Sequence, residues 1–158
     1  MVCSLVPTFV LRAIKLMLEQ SKYEIKTIPL ASVWAIRHSV MWPDKPFDYI
    51  KLPSDPEGQH HGLFVRGQLV SIVSAFISSH EAQFRKFATL HAHQGQGYGS
   101  KLLTHLIAQL EAQHVKRIWC NARIDKQSFY ERFGLNITPK TFSKGGIDYV
   151  VMEKLIAA

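Results

Sequence analysis

Three glycines at alternate positions, Gly95, Gly97 and Gly99 in the stretch HQGQGYGSKLL, stand immediately before a leucine-rich helical pattern. Without Cβ atoms the backbone there can be approached closely, and its N–H groups are free just where a helix begins. The chemistry that fits such a stretch is capture of an anion. A tight turn that merely starts a helix is the plainer alternative, but one glycine would serve that purpose.

Two familiar glycine motifs fit poorly. A dinucleotide fold wants G-x-G-x-x-G and an acidic residue about 20 positions on, at the end of the next strand. Here the spacing is G-x-G-x-G and the next strand ends in Asn121. A phosphate-binding Walker loop needs Gly-Lys-Ser/Thr, which Gly99-Ser100-Lys101 inverts. Metal chemistry has little support. His60-His61 are adjacent and His91 and His93 alternate, yet neither pair is joined by a cysteine or a well-spaced carboxylate, so no metal is expected. Cys3 and Cys120 are too few for a disulfide framework and point to a reducing, cytoplasmic setting. Cys120, in a short strand, reads as a buried hydrophobe.

The elements that must position these residues follow from periodicity. KYEIKTIPL, 22–30, alternates and predicts a strand ended by Pro29, after which Ser32 can cap a helix through about Val40. MWPDKPFDYIKLPSDPEG carries Pro43, Pro46, Pro53 and Pro56 and reads as a long irregular loop, the kind that most often covers a binding site. Leu63 to Arg66 and Leu69 to Ile77 form a hairpin about Gly67, and Ala82 to Leu90 returns beside it. Leu102, Leu103, Leu106, Ile107 and Leu110 fall on one helical face, which ends near Gln113. Arg117 to Asn121 is a short strand, and DKQSFYERFGL is a helix capped by Asp125 and stopped by Gly134. Asn136 to Phe142 and Ile147 to Lys154 close the chain as a hairpin through Gly145 and Gly146. Strand, helix, strand around the glycine loop requires a parallel crossover, so the fold class is α/β with a mixed sheet.

At 158 residues the chain fits one domain with a full core, read as residues 22–158 after an extension over 1–21. VCSLVPTFVLRAIKLML resembles a membrane or signal segment, but Arg12 and Lys15 interrupt it and it falls short of the roughly 20 apolar residues of a span. No membrane partner is expected. The segment is either an added amphipathic helix or lies upstream of a start at Met17. The formal charge of +7 favours anionic ligands, whether nucleic acid or a phosphate-bearing cofactor, or serves solubility alone. No basic helix interleaved with aromatics is present, so nucleic acid is not an expected partner.

Gln94, Gly97 and Gly99 match Q/R-x-x-G-x-G/A, preceded by FRKFATL and followed by the leucine-rich helix. This resembles the acetyl-CoA loop of the GNAT superfamily of N-acetyltransferases. The likeness continues through NARIDKQSFYERFGL, similar to that superfamily's fourth helix with its Phe-Tyr pair, and through RHSVMWPDKP and GIDYVVMEKL, similar to a general branch of it. Matching elements run from about Tyr23 to Leu155.

The resemblance implies a mixed central sheet with a splayed parallel strand pair and flanking helices. It implies acetyl-CoA as co-substrate, with the pyrophosphate on the loop Gln94, Gly95, Gln96, Gly97, Tyr98, Gly99 and Ser100, and with Arg85 and Lys101 as candidates to add charge. Phe87, Ala88 and Thr89 would hydrogen-bond the pantetheine as though it were another strand. Tyr130 would protonate the departing thiolate; a core-edge aromatic is its alternative. Phe129 and Phe133, four apart, form a core pair and leave Tyr130 about 100° round the helix. Many relatives carry an Asn and a small residue where this chain has Arg123 and Lys126, and Asn121 stands in as the cofactor contact.

A primary amine, of a small molecule or peptide, would attack directly in a ternary complex after losing a proton. Glu81, at the start of the strand leading to the loop, is the best-placed carboxylate to take that proton, with His80, His91 and His93 behind it; a solvated role is the alternative for each. The amine side would be lined by the first helix, the Trp42 to Gly58 loop and the Gly145-Gly146 hairpin. Asp44, Asp48, Asp55, Glu57 and Asp148 there would suit a cationic amine, or only a solvated loop. The rival function is a catalytically weak module that binds or senses acyl-CoA. A homodimer is common in such folds and is an open expectation.

Overall fold

Gln59–Val65 (β2) and Gln68–Ser78 (β3), each with a continuous run buried on both faces at 60–63 and 70–75, form an antiparallel hairpin closed by Arg66 and Gly67 with φ of 50° and 79°. The computed structural model describes residues 6–20 and 22–157. Around the hairpin, strands Tyr23–Thr27 (β1), Glu81–Thr89 (β4), Arg117–Arg123 (β5), Asn136–Lys144 (β6) and Ile147–Leu155 (β7) complete a seven-stranded sheet in the order β1-β2-β3-β4-β5-β7-β6. Every neighbouring pair is antiparallel except β4 and β5.

The parallel pair exists because helix Tyr98–Ala112 (α3) carries the chain from the end of β4 back to the start of β5. Leu102, Leu103, Leu106, Ile107 and Leu110 are buried on one face of α3, packed with Phe84, Ile118 and Met152 of the sheet. That is the stripe read from the sequence. The short helix Gln127–Glu131 (α4) adds Phe129 and Tyr130 to the same side. Helix Leu30–Met41 (α2) covers the opposite face, where Val33 packs with Ile28, Ile72 and Ala88.

Two expected caps are absent. Ser32 lies inside α2, which begins after Pro29 with no side-chain cap; the proline, at φ −71°, sets the helical entry by its ring. Asp125 sits in a short 3-10 turn and pairs with Arg123 at 3.3 Å instead of capping α4. Gly134, at φ 86°, does end that segment.

The proline-rich stretch after α2 is irregular, as expected, but firmly anchored. It contains two single 3-10 turns, Phe47–Ile50 and Asp55–Glu57, and the Asp55 carboxylate accepts from Arg37 Nη1 at 2.7 Å, Arg37 Nη2 at 2.9 Å, Trp34 Nε1 at 2.9 Å and the Leu52 amide at 2.8 Å. Arg37 also donates to the Ile50 carbonyl and to Ser74 Oγ, and His60 bridges Ser74 Oγ and the Asp55 carbonyl. Asp55 is therefore spent on holding the loop to α2 and the sheet.

At the N-terminal end, Thr8–Gln20 forms helix α1, with Phe9, Leu11, Met17 and Leu18 exposed. The readings made for residues 1–5, Cys3 among them, fall outside the described residues. Among the described residues no helix is long and apolar enough to cross a membrane.

Candidate active site

β4 and β5 pair only at their beginnings, through Glu81↔Arg117, Ala82↔Ile118 and Gln83↔Trp119. Beyond Gln83 the strands part, and the edge of β4 from Phe84 to Thr89 has no strand partner on that side. A cavity of about 710 Å³ opens in the gap. Phe84 to Phe87 of β4 and Cys120, Asn121 and Arg123 of β5 form its walls, with Lys126 and Tyr130 at one side, Trp42 and Tyr49 of the proline-rich loop at another, and Phe142, Lys144 and Tyr149 of the β6–β7 hairpin across from them. A smaller depression of about 380 Å³, at Tyr23, Lys101 and His105, lies apart from it.

A bulge shapes the β4 wall. Between the pairs Ile72↔Ala88 and Ser74↔Arg85, one intervening residue of β3 faces two of β4, and Lys86 takes φ 56°. The extra residue puts Phe84 and Phe87, three apart, on the same α3-facing side, where Phe87 stacks on Phe129 at 6.1 Å and Phe84 lies 5.8 Å from Tyr130. It also turns Lys86 the other way, its Nζ 4.2 Å from the centre of the Trp42 ring at the end of α2. This lysine was missed in the sequence. Its signal was the broken alternation of FRKF, since a regular strand cannot bring residues three apart to one face.

At the far end of β4 the three glycines divide into two kinds. Gly95 and Gly97 have φ of 74° and 83° with nothing within 4 Å of a would-be Cβ, so the turn itself requires them. Gly99 is needed for space: a Cβ there would meet Phe87 Cζ at 3.0 Å. The amides of Gly95, Gln96 and Gly97 have no acceptor among the described residues, and α3 begins at Tyr98 without a side-chain cap. Free N–H groups and the positive end of a 15-residue helix thus converge on one spot, a fit for a phosphate group. Gln94 serves the loop, donating to the Thr89 carbonyl at 3.0 Å, and Gln96 donates to the Ala92 carbonyl. Ala88 is buried, and its carbonyl accepts from Ser71 Oγ. Lys101 turns away to the Tyr23 ring at 5.4 Å.

Tyr130 lines the cavity, half-buried between Phe84 and Phe129. Burial, and then the neighbouring Cys120, push its phenol well above the usual tyrosine value, so it holds its proton at neutral pH. No hydrogen-bond partner occupies its hydroxyl among the described residues. Cys120 itself is buried, and burial pushes its thiol up to about 12, leaving it protonated and unreactive. Asn121 is exposed at the cavity wall.

Glu81 is not brought to this place. It lies where β4 and β5 are still paired, and Arg117 Nη1 holds it at 3.3 Å while Arg117 Nε binds Glu153 at 2.5 Å. His80 is exposed beside it, and His91 and His93 form a turn ahead of the glycine loop. His61 faces His105 at 6.0 Å, and burial, His105 and His60 hold it below the usual histidine value. Among the described residues no three histidine, cysteine or carboxylate groups gather as a metal site.

Of the two roles left open for the loop's acids, lining the cavity is not the one the structure gives them. Asp55 is consumed by Arg37, Asp48 pairs with Lys51 at 2.7 Å, and Asp148 accepts from Ser143 Oγ. None of these, nor Asp44 or Glu57, lines the cavity; its charged residues are Arg85, Lys86, Arg123, Lys126 and Lys144.

The GNAT acetyltransferase domain family matches residues 35–156 of this chain. The chain belongs to that family. It is 33% identical over 143 residues to the uncharacterized N-acetyltransferase YitI of Bacillus subtilis, covering 84% of this chain and 96% of that one. The GNAT fold is shared with the ribosomal-protein-S18-alanine N-acetyltransferase of Escherichia coli, at a TM-score of 0.71 and 19% identity over 86% of this chain and 95% of the other. A GNAT family acetyltransferase of Elizabethkingia anophelis, solved with acetyl-CoA bound, superposes at 0.69 with 13% identity over 87% of this chain and all of that one. This GNAT domain is accordingly an acyltransferase of the N-acetyltransferase type, built on the mixed sheet with one parallel pair.

Proposed function

We propose that the chain transfers the acetyl group of acetyl-CoA to a primary amine by direct attack in a ternary complex. The observation that carries this is the continuity of the β4–β5 gap with the uncapped glycine loop: an unpaired strand edge leads straight to free amides at a helix N-terminus. A pantetheine chain can add to the β4 edge as a strand does, and its pyrophosphate can take the amides of Gly95 to Gly99. The Elizabethkingia relative, solved with acetyl-CoA, supports the same donor for this fold.

In the reaction the amine nitrogen forms a bond to the acetyl carbonyl carbon, the carbon–sulfur bond breaks, and the pair of electrons leaves on sulfur. Tyr130, which lines the cavity, meets that charge in this reading. Its raised pKa makes full proton transfer to a thiolate of pKa about 8.5 unfavourable, so it acts as a hydrogen-bond donor that strengthens as charge develops on sulfur. The amine's proton passes to water, since no carboxylate lines the cavity. A buried, protonated Cys120 argues against an acetyl-cysteine intermediate.

The absence of a carboxylate base from the lining is also the one observation that favours the second reading, an acyl-CoA-binding module with slow turnover. Thermal melts with acetyl-CoA, NAD and ATP test the shared donor. A ligand at 100 times its Kd adds about 2.7 kcal/mol, several degrees in a domain this size. A rise with acetyl-CoA alone is the expected result; a larger rise with NAD or ATP overturns it.

A further inference from the structure

We infer that the acceptor carries an anionic group, a carboxylate or a phosphate, next to its amine, received by Arg85, Lys86 and Lys144 at the α2 side of the cavity. This deepens the acetyl-transfer reading and rests on it.

The charges lining the cavity all have one sign. Arg123 is engaged by Asp125, but Arg85, Lys86 and Lys144 form no ion pair among the described residues. They are near enough to oppose one another: burial first, then Arg85, Arg37 and Lys144, push the Lys86 ammonium down to about 8, with Asp55 opposing only weakly. Arg85 and Lys86 are half-buried and Lys144 is exposed; like charges gathered along one cavity are unfavourable until an anion joins them, and charge-assisted hydrogen bonds then become strong.

The donor's phosphates do not account for the cluster. The glycine loop has its own free amides beyond Thr89, whereas the bulge aims Lys86 at Trp42, on the face of the sheet covered by α2. The rings of Trp42, Tyr49, Phe142 and Tyr149 stand around the cations, so the anion can belong to a molecule with an apolar or aromatic body.

The test is calorimetric titration of the protein saturated with CoA, using two matched pairs: L-phenylalanine against 2-phenylethylamine, and O-phosphoethanolamine against ethanolamine. At least one anionic member should bind about 10- to 100-fold more tightly than its partner, and whichever pair does so separates carboxylate from phosphate. In the Lys86→Met/Lys144→Met variant, which leaves only Arg85 of the three, that preference should shrink to about threefold or less while acetyl-CoA affinity stays the same. Equal binding within both pairs overturns the inference, as does a variant that keeps the full preference, whether or not its acetyl-CoA affinity changes. Failure of acetyl-CoA to bind the unaltered protein is a separate result, which overturns the donor reading and this inference with it.

Discussion

Arg37 and Asp55 meet as a two-pronged ion pair with both side chains fully buried, Nη1 to Oδ2 at 2.7 Å and Nη2 to Oδ1 at 2.9 Å. The pair ties the loop carrying Trp42 and Tyr49 to α2, and so fixes one wall of the cavity before any ligand arrives. Removing one partner strands a buried charge, so Asp55→Ala should cost about 3–5 kcal/mol in urea unfolding at pH 7. Burial alone would raise the Asp55 pKa, but the bonds from Arg37, Leu52 and Trp34 and the Arg37 charge outweigh it and hold the carboxyl below its usual value. A lowered carboxyl pKa contributes stability above the unfolded value, near 3.9, and loses it as pH falls through the folded value. The unaltered protein should therefore lose stability below about pH 4 by a limb that Asp55→Ala lacks. A loss under about 1 kcal/mol at pH 7 would show that the loop is held some other way.

Tyr130→Phe should keep acetyl-CoA affinity and lower kcat by about 10- to 100-fold. On the proposed mechanism the loss is modest because a thiolate is already a tolerable leaving group and Tyr130, with its raised pKa, would lend a hydrogen bond rather than a proton. Steady-state kinetics beside a donor titration separate the two effects, and an unchanged kcat removes Tyr130 from the reaction.

Gly97→Val forces a β-branched residue to a φ of 83°, at a cost of roughly 1–3 kcal/mol in the loop conformation. Acetyl-CoA affinity should fall at least about tenfold. Gly67→Val, at φ 79° in the β2–β3 turn, is the control: it carries similar backbone strain outside the loop and should leave donor binding alone.

The glycine loop, the α3 stripe and the succession of elements along the chain were legible because each is written in neighbouring residues: Gly95 to Gly99 in one turn, Leu102 to Leu110 on one helical face. Residues whose role depends on distant partners were not. Asp55 looks like any loop carboxylate until Arg37, 18 residues earlier, is found against it. Glu81 looks well placed along β4, but register puts it opposite Arg117, at the paired end. Lys86 reads as a strand residue until a single extra residue in β4 reverses its direction. The sequence left two roles open for the loop's acids for the same reason: they are numerous there, but the cavity is lined by cations from β4, β5, β6 and the turn before α4.

The Lys86 ammonium, held down to about 8 by burial, Arg85, Arg37 and Lys144 against a weak pull from Asp55, should titrate within reach of ordinary assays. As pH rises through about 8 its charge is lost. The ratio of kcat/KM for L-phenylalanine to that for 2-phenylethylamine should therefore fall across pH 7 to 9, and Lys86→Met should flatten it. Taking the ratio within a matched pair largely cancels ionisation of the attacking amine. A ratio that rises with pH would contradict a charged Lys86 at the acceptor site.

The central claim is amine-dependent cleavage of the thioester, and the most direct measurement is CoA thiol release alongside mass-spectrometric detection of the N-acetylated amine, with acetyl-CoA and the matched amine panel. The expected result is one acetylated amine for each CoA released, slowed by Tyr130→Phe and by Gly97→Val. Bound acetyl-CoA with no amine-dependent release of CoA would contradict it and leave a donor-binding module in its place.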